Sequence, residues 1–536
     1  YTEPALLIRI IDILLPHYED RSDTESLLFL YICAGFSYME LSRTGEPTSR
    51  DKTIYFYTKV LSYRDQIEFF ESAASRDYIF IAYYNLIRVA PGLGILDIET
   101  AYRLWEELCQ IRTMPKFCQY DTTNPRIPQL CDCAINDFRA YGAVLNVERV
   151  IAPSAILSSL ENMTQIYYSE ILHEHGSIYE CPVFTVFNYH YVQARNGTIT
   201  WEAAWQILDD YYVHKMQTIG QVSSPDLLAF YTNLPLNLID VLGHTHFKEE
   251  FKQATYRRYR NLITSYLMNQ PASLNSYTLN NGVQLVAFHP LILGTFQNRM
   301  EKMNFIVDLV VTRHLTTFTH SVMVSYLAEA IGKHILAARP ELLRIPSSYL
   351  EGNVYASPAE VLDYIVPAAL FHDIGKNGMI PIINTQHRKL NDYEFNIIQT
   401  HPQKGSDYLS SDPDFLIYQP VALGHHRSYD GTRGYPLSFD NTASPYRDAI
   451  DLIHICDCLD AATDYLSRNY HRAKPFDVVL NELKAGRGTE YNPDMVDVIL
   501  SDRELYNDLK MLTEQNRENI YYDIYLTFVN LRKKRQ

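Results

Sequence analysis

Seven side chains in the second half of the chain have the types and the order to hold metal ions: His320, His372, Asp373, His401, His425, His426 and Asp457. His320 falls on a predicted helix from Lys302 to Ala338, with Val324, Leu327 and Ile331 following at helical spacing, so it points to the packed side. Alone it would read as a satisfied core histidine. The apolar run Val366 to Phe371 ends in His372-Asp373, and burying an unpaired carboxylate is costly. Asp457 shares a predicted helix face with Ile450, Ile453 and Ala461, so an acid sits within an apolar stripe and needs a compensating cation. A basic side chain would serve, but the histidines of the same stretch make a metal the better candidate.

Mixed nitrogen and oxygen donors suit Fe, Mn or Zn, and the lack of cysteine among them disfavours a purely structural zinc site. The set is too large for one ion that must also bind water. Two metals are therefore expected, with Asp373 placed to bridge them. Two ions a few Å apart suit in-line attack on a phosphodiester, one generating hydroxide and both stabilising the developing charge.

The elements that must position these residues read as helices nearly throughout. Apolar residues recur at three and four positions in Leu6 to Leu15, Ser26 to Leu41, Ile54 to Phe70 and Tyr78 to Val89. Proline and glycine fall mainly between these runs, as in Gly45-Glu46-Pro47. Residues 1–140 resemble a tetratricopeptide-like stack, with a non-repeating helical bundle as the alternative. Residues 141–294 form a mostly helical middle, sensor or linker domain, with Thr200 as N-cap before Trp201. Within it Asn281-Gly282 lies between two alternating stretches and predicts a short β-hairpin over 277–288. Residues 295–536 form the metal-bearing domain.

At 536 residues the chain is too long for one core. Its net charge of −16 argues against a DNA or RNA polymer as partner, but a few metal ions reverse the field locally for a small phosphate ligand. Eight cysteines without a CxxC pair suggest buried thiols in a reducing, cytoplasmic setting; a zinc site on Cys131 and Cys133 is a minor alternative. No apolar run approaches the ~20 residues that cross a bilayer, so no membrane span is expected within this chain. The chain starts at Tyr1, which leaves an upstream anchor open. Arg532-Lys533-Lys534-Arg535 reads as a solvated tail.

His372-Asp373-Ile374-Gly375-Lys376, then His401-Pro402, His425-His426, Asp430-Gly431 and Gly434-Tyr435-Pro436 together resemble the HD-GYP phosphodiesterases. The segments Asp457-Cys458-Leu459-Asp460-Ala461, Ala485-Gly486 and Asn492-Pro493 match further elements of that family, over about 300–500. The resemblance implies an all-α protein: a C-terminal metal-centred HD-type helical bundle preceded by an α-helical region. It implies hydrolysis of cyclic di-GMP to linear pGpG, or onward to GMP, by two divalent ions, Fe or Mn. By the same resemblance His320, His372, Asp373, His401, His425, His426 and Asp457 are the metal ligands, with Asp373 and Lys376 catalytic. Lys376, Gly434, Tyr435 and Pro436 would meet substrate, as would Arg468 with His471 or Arg472.

Four departures stand out. Thr316 occupies the position where some members carry a Glu that binds a third metal, so a two-metal site is expected, of the kind associated with stopping at the linear dinucleotide. Arg427 replaces the Glu usual after the paired histidines. An extra residue precedes Gly434, leaving Arg433 as either an added phosphate contact or a solvated loop charge. About two residues are inserted within Thr463 to Arg468. Two alternatives follow: a phosphodiesterase for another cyclic or linear dinucleotide, or a catalytically silent nucleotide-sensing or adaptor module. The N-terminal region would regulate the domain or take a protein partner, and a homodimer is open.

Overall fold

The computed structural model describes residues 4–43, 48–69, 73–118, 126–145, 154–218, 224–270, 277–311, 313, 315–347, 355–379, 390–467 and 473–533. Among these residues the secondary structure is helical, with isolated bridges and no strand. The chain divides into two compact units, one of Tyr1–Phe230 with Leu236–Lys252, the other of Tyr231–Pro235 with Gln253–Gln536.

The first unit contains α1 (Pro4–Arg21), α2 (Thr24–Ser42), α3 (Arg126–Leu145) and α4 (Trp201–Gln217), among other helices. The Asp23 carboxylate caps α2 by accepting from the Ser26 N–H at 3.2 Å. Thr200 caps α4 as expected, its Oγ1 accepting from the Ala203 N–H at 3.1 Å. Cys131 and Cys133 are two apart on α3, where side chains diverge; the first is buried and the second exposed, so they do not form a shared zinc site.

The second unit holds the proposed metal ligands. Its main helices are α5 (Tyr277–Ala287), α6 (Arg299–Val311), α7 (Leu315–Ala338), α8 (Pro358–Phe371), α9 (His401–Leu409), α10 (Gln419–Gly424), α11 (Arg447–Thr463) and α12 (Arg517–Lys533). The helix anticipated from Lys302 to Ala338 is thus two helices. They are separated at Arg313, whose N–H bonds Val310 O and whose guanidinium donates to Gln270 O at 2.9 Å.

The hairpin expected over 277–288 is helix α5 instead. Leu279, Val283, Val286 and Ala287 are buried at helical spacing, and Gly282 does not take the positive φ that an Asn-Gly hairpin turn requires. Burial of that stripe outweighs the local turn signal. The helix also supports the site: Gln284 Oε1 accepts from the Tyr408 hydroxyl on α9 at 2.5 Å, and Phe288 stacks on the same ring.

Candidate metal centre

Five short stretches deliver the seven residues. His320 lies on the buried face of α7, and His372-Asp373 follow directly on α8. That helix starts with a capping box between Ser357 and Glu360, with Pro358 in its first turn, which sets where it begins. His401 opens α9, His425-His426 follow α10, and Asp457 lies on α11. Gly375 permits the close approach of the His372-Asp373 stretch to α9, because a Cβ there would lie 2.0 Å from the His401 carbonyl oxygen.

All seven converge. Asp373, His401, His425 and His426 form one group and His320, His372 and Asp457 a second, each with donor atoms within 4.8 Å of one another. The two carboxylates join the groups. Asp373 Oδ1 lies 3.2 Å from His401 Nε2 and 3.6 Å from His425 Nε2. Its Oδ2 lies 3.6 Å from His320 Nε2 and 3.5 Å from His372 Nε2. Asp457 likewise turns Oδ1 to His320 Nε2 at 3.0 Å and Oδ2 to His426 Nδ1 at 3.6 Å.

The donor set fits divalent ions on the structure's own terms. His372, His401 and His425 each direct Nδ1 at a main-chain carbonyl, of Ala369 (2.6 Å), Ile398 (2.6 Å) and Ala422 (2.9 Å). A carbonyl only accepts, so Nδ1 carries the hydrogen and Nε2 presents a lone pair to the centre. The Nε2 atoms of His401 and His425 stand 3.1 Å apart, two lone pairs that repel unless a cation lies between them. A proton is a poor cation here, since burial pushes the His401 pKa down to about 4. His372 Nε2 is buried without a hydrogen-bond partner, and burial lowers its pKa to about 3. Burial also holds His426 well below its ordinary value. For Asp373, burial opposes ionisation, but Lys376 and the neighbouring histidines outweigh it and keep the carboxylate charged. His320 is opposite in sign: burial would lower its pKa, yet hydrogen bonds to Asp457 and Asp460 raise it to about 9.

The rim comes from the 427–436 loop. Gly434 has φ of +87°, a region open to glycine, and the Arg427–Gly434 bridge brings it against the His426 main chain. The Tyr435 ring consequently sits 4.6 Å from that of His426. Arg427, which stands where Glu is usual, is buried and donates to the carbonyls of Gly431 and Gly434, so it shapes the loop from inside. Arg433 is 62% exposed and pairs with Glu490 at 3.0 Å. Lys376 Nζ lies 2.5 Å from Asp373 Oδ2, with 17% of its side chain exposed. Pro436 follows Tyr435 through a cis peptide bond. Thr316, one helical turn before His320, is exposed and brings no carboxylate. Arg468, His471 and Arg472 lie outside the described residues.

The sequence reading missed the groups behind the ligands. Asp460 Oδ2 receives His320 Nδ1–H at 2.6 Å, and Asp460 Oδ1 meets Arg517 Nη1 at 2.8 Å. His454 Nδ1 donates to the His425 carbonyl at 2.6 Å while its Nε2 faces Glu490 at 3.4 Å. A second acid one helical turn after Asp457 was the available signal for Asp460; none marked Arg517.

Residues 317–469 match the HD domain family, a span that holds all seven clustered residues. The chain carries an HD domain. Similar proteins extend the likeness. A cyclic di-GMP phosphodiesterase of Vibrio cholerae is 26% identical over 303 residues, 51% of this chain and 60% of the relative. The cyclic di-GMP phosphodiesterase response regulator RpfG of Xanthomonas campestris is 33% identical over 27% of this chain and 37% of its own length. A 3′3′-cGAMP-specific phosphodiesterase of V. cholerae is 25% identical over 37% of each. The chain therefore spans from about a third to three fifths of these relatives. No helix among the described residues is long and apolar enough to cross a membrane.

Proposed function

We propose that this chain is a two-metal phosphodiesterase that hydrolyses cyclic di-GMP to linear pGpG. The observation that carries this reading is Asp373, which turns one oxygen to each of two histidine-rich groups, the arrangement a bridging ligand needs. Asp373, His401, His425 and His426 would hold one divalent ion; His320, His372 and Asp457, with Asp373, the other. Fe or Mn suits that donor set. Bound there, the ions supply Lewis acidity for in-line attack at phosphorus.

The chain's own groups do the rest. Burial keeps His372 and His401 neutral at pH 7, so both offer lone pairs without first losing a proton. Lys376 reaches the edge of the site with its charge partly balanced by Asp373, where it can meet a substrate phosphate or protonate a leaving oxygen. Tyr435 forms a wall beside His426 on which a nucleotide can rest. Thr316 adds no third acidic ligand, which supports cleavage stopping at the linear product. The N-terminal helices are the part proposed to regulate this domain or bind a protein partner.

A second reading keeps the chemistry and changes the substrate to 3′3′-cGAMP. Its support is the likeness to V. cholerae phosphodiesterases named for that dinucleotide. The deciding experiment follows turnover of both cyclic dinucleotides by chromatography on anaerobically purified protein, with metals quantified on the same sample. Linear pGpG with about two ions per chain is expected. Faster cleavage of 3′3′-cGAMP would favour the second reading, and bound metal with no turnover of either would favour a silent nucleotide sensor.

A further inference from the structure

We infer that Arg517, at the start of α12 and beyond the residues that match the HD domain, is a positioning residue of the metal centre that acts on His320 through Asp460. The inference rests on reading the histidine cluster as a metal centre, and not on the identity of the substrate.

Arg517 is 0% exposed, one of the largest side chains so fully buried among the described residues, and a guanidinium in that position must be surrounded by acceptors. Its Nε donates to Thr513 O at 2.9 Å and its Nη2 to Thr463 Oγ1 at 2.9 Å, which fixes the plane of the fork. Nη1 then lies 2.8 Å from Asp460 Oδ1, a close ion pair without the alignment of a hydrogen bond. Asp464 Oδ1 lies farther off, at 3.6 Å. Held by one oxygen, Asp460 presents the other to His320 Nδ1 at 2.6 Å.

His320 differs here from His372, His401 and His425, whose Nδ1 atoms rest on rigid main-chain carbonyls. The orientation of His320 depends on a side-chain carboxylate that is itself buried and free to rotate unless clamped. A carboxylate behind a ligating imidazole fixes its tautomer and makes its other nitrogen a stronger donor. Arg517 thus ties the last helix to the group formed by His320, His372 and Asp457.

The test is Mn2+ binding to the full chain, stripped of metal and titrated, for wild type, R517M and R517K. R517M should weaken one class of site about 10–100-fold and leave the other near its wild-type affinity. R517K should recover part of the loss, because an ammonium keeps the charge beside Asp460 but lacks the planar fork that also holds Thr513 O and Thr463 Oγ1. Leu505→Ala, a buried position in the helix Arg503–Lys510, controls for general destabilisation in the metal-free state. Mn2+ binding by R517M no weaker than by L505A would overturn the inference. Should R517M not fold, R517K binding as tightly as wild type would overturn it equally. A wild-type chain that binds Mn2+ but hydrolyses no dinucleotide would defeat the proposed function and leave this inference standing; one that binds no Mn2+ would defeat both.

Discussion

Asp373 is 1% exposed, yet its carboxyl stays ionised because Lys376 and the surrounding histidines outweigh the cost of burial. Its near-isosteric replacement, Asp373→Asn, preserves the packing and removes the charge and the second donor oxygen. That variant should keep its helical circular dichroism, lose metal at both groups, and turn over substrate at least about 100-fold more slowly; two retained ions by elemental analysis would argue against a bridging role. The histidines carry a pH signature of their own. His372 and His401 titrate near 3 and 4 when folded, against about 6.5 in an unfolded chain. Between those values the unfolded state binds more protons, so the metal-free protein loses stability as pH falls from about 6.5 towards 4. His320 runs the other way: its folded pKa of about 9 adds stability below about 6.5 that fades as pH rises through about 9. Removing one member isolates its share. In His401→Gln, the fall of metal-free stability with acid should be shallower by up to about 1.4 kcal/mol per pH unit, read from urea midpoints at pH 5 and 6. An unchanged slope would mean that His401 titrates normally.

The elements of the site differ in how much of them sequence could reveal. The clustered residues were legible because ionisable residues interrupt apolar helices, and burial makes such interruptions rare without a partner: Asp457 among Ile450 and Ile453, His372-Asp373 at the end of α8. The groups behind them were not, because Asp460 and Arg517 meet only after the chain has passed through several further helices. Local turn chemistry misled over 277–288, where Asn281-Gly282 is a strong hairpin signal, but the burial of Leu279, Val283 and Val286 makes α5 the lower-energy choice. At Gly434 the φ of +87° is of the kind that favours glycine. A Cβ at Gly434 would fall 1.8 Å from the His426 carbonyl oxygen, so Gly434→Ala must push the loop away from the paired histidines. The backbone strain alone is about 1–3 kcal/mol. Since the loop supplies the Tyr435 wall, this variant is expected to retain its metal while kcat/KM falls about 10-fold or more, mainly through KM. Loss of metal with no independent rise in KM would instead place the loop among the groups that hold the ions.

At the scale of the whole molecule, the seven candidate ligands all belong to the second compact unit, while α1 to α4 belong to the first. Bound ions stabilise whatever ordered structure they require, by about 2.7 kcal/mol when metal stands at 100 times its dissociation constant. That stabilisation should appear as slowed amide exchange wherever opening would break the ligand set. Hydrogen–deuterium exchange with and without Mn2+ should therefore show protection in α7, α8, α9, α10 and α11, which carry or directly precede the candidate ligands. It should also show protection at the start of α12 if Arg517 clamps Asp460. Under simple local stabilisation, α1 to α4 should exchange at unchanged rates. Protection that spread into those helices would reveal an energetic link between the units, and that link is what control of binding by the N-terminal helices requires. Unchanged exchange there on metal binding, and again on adding a non-hydrolysable cyclic dinucleotide, would mean that the first unit gains nothing from an occupied site. Reciprocity then forbids a signal bound by that unit from altering affinity at the metal centre, and any control it exerts would have to act on turnover rather than on binding.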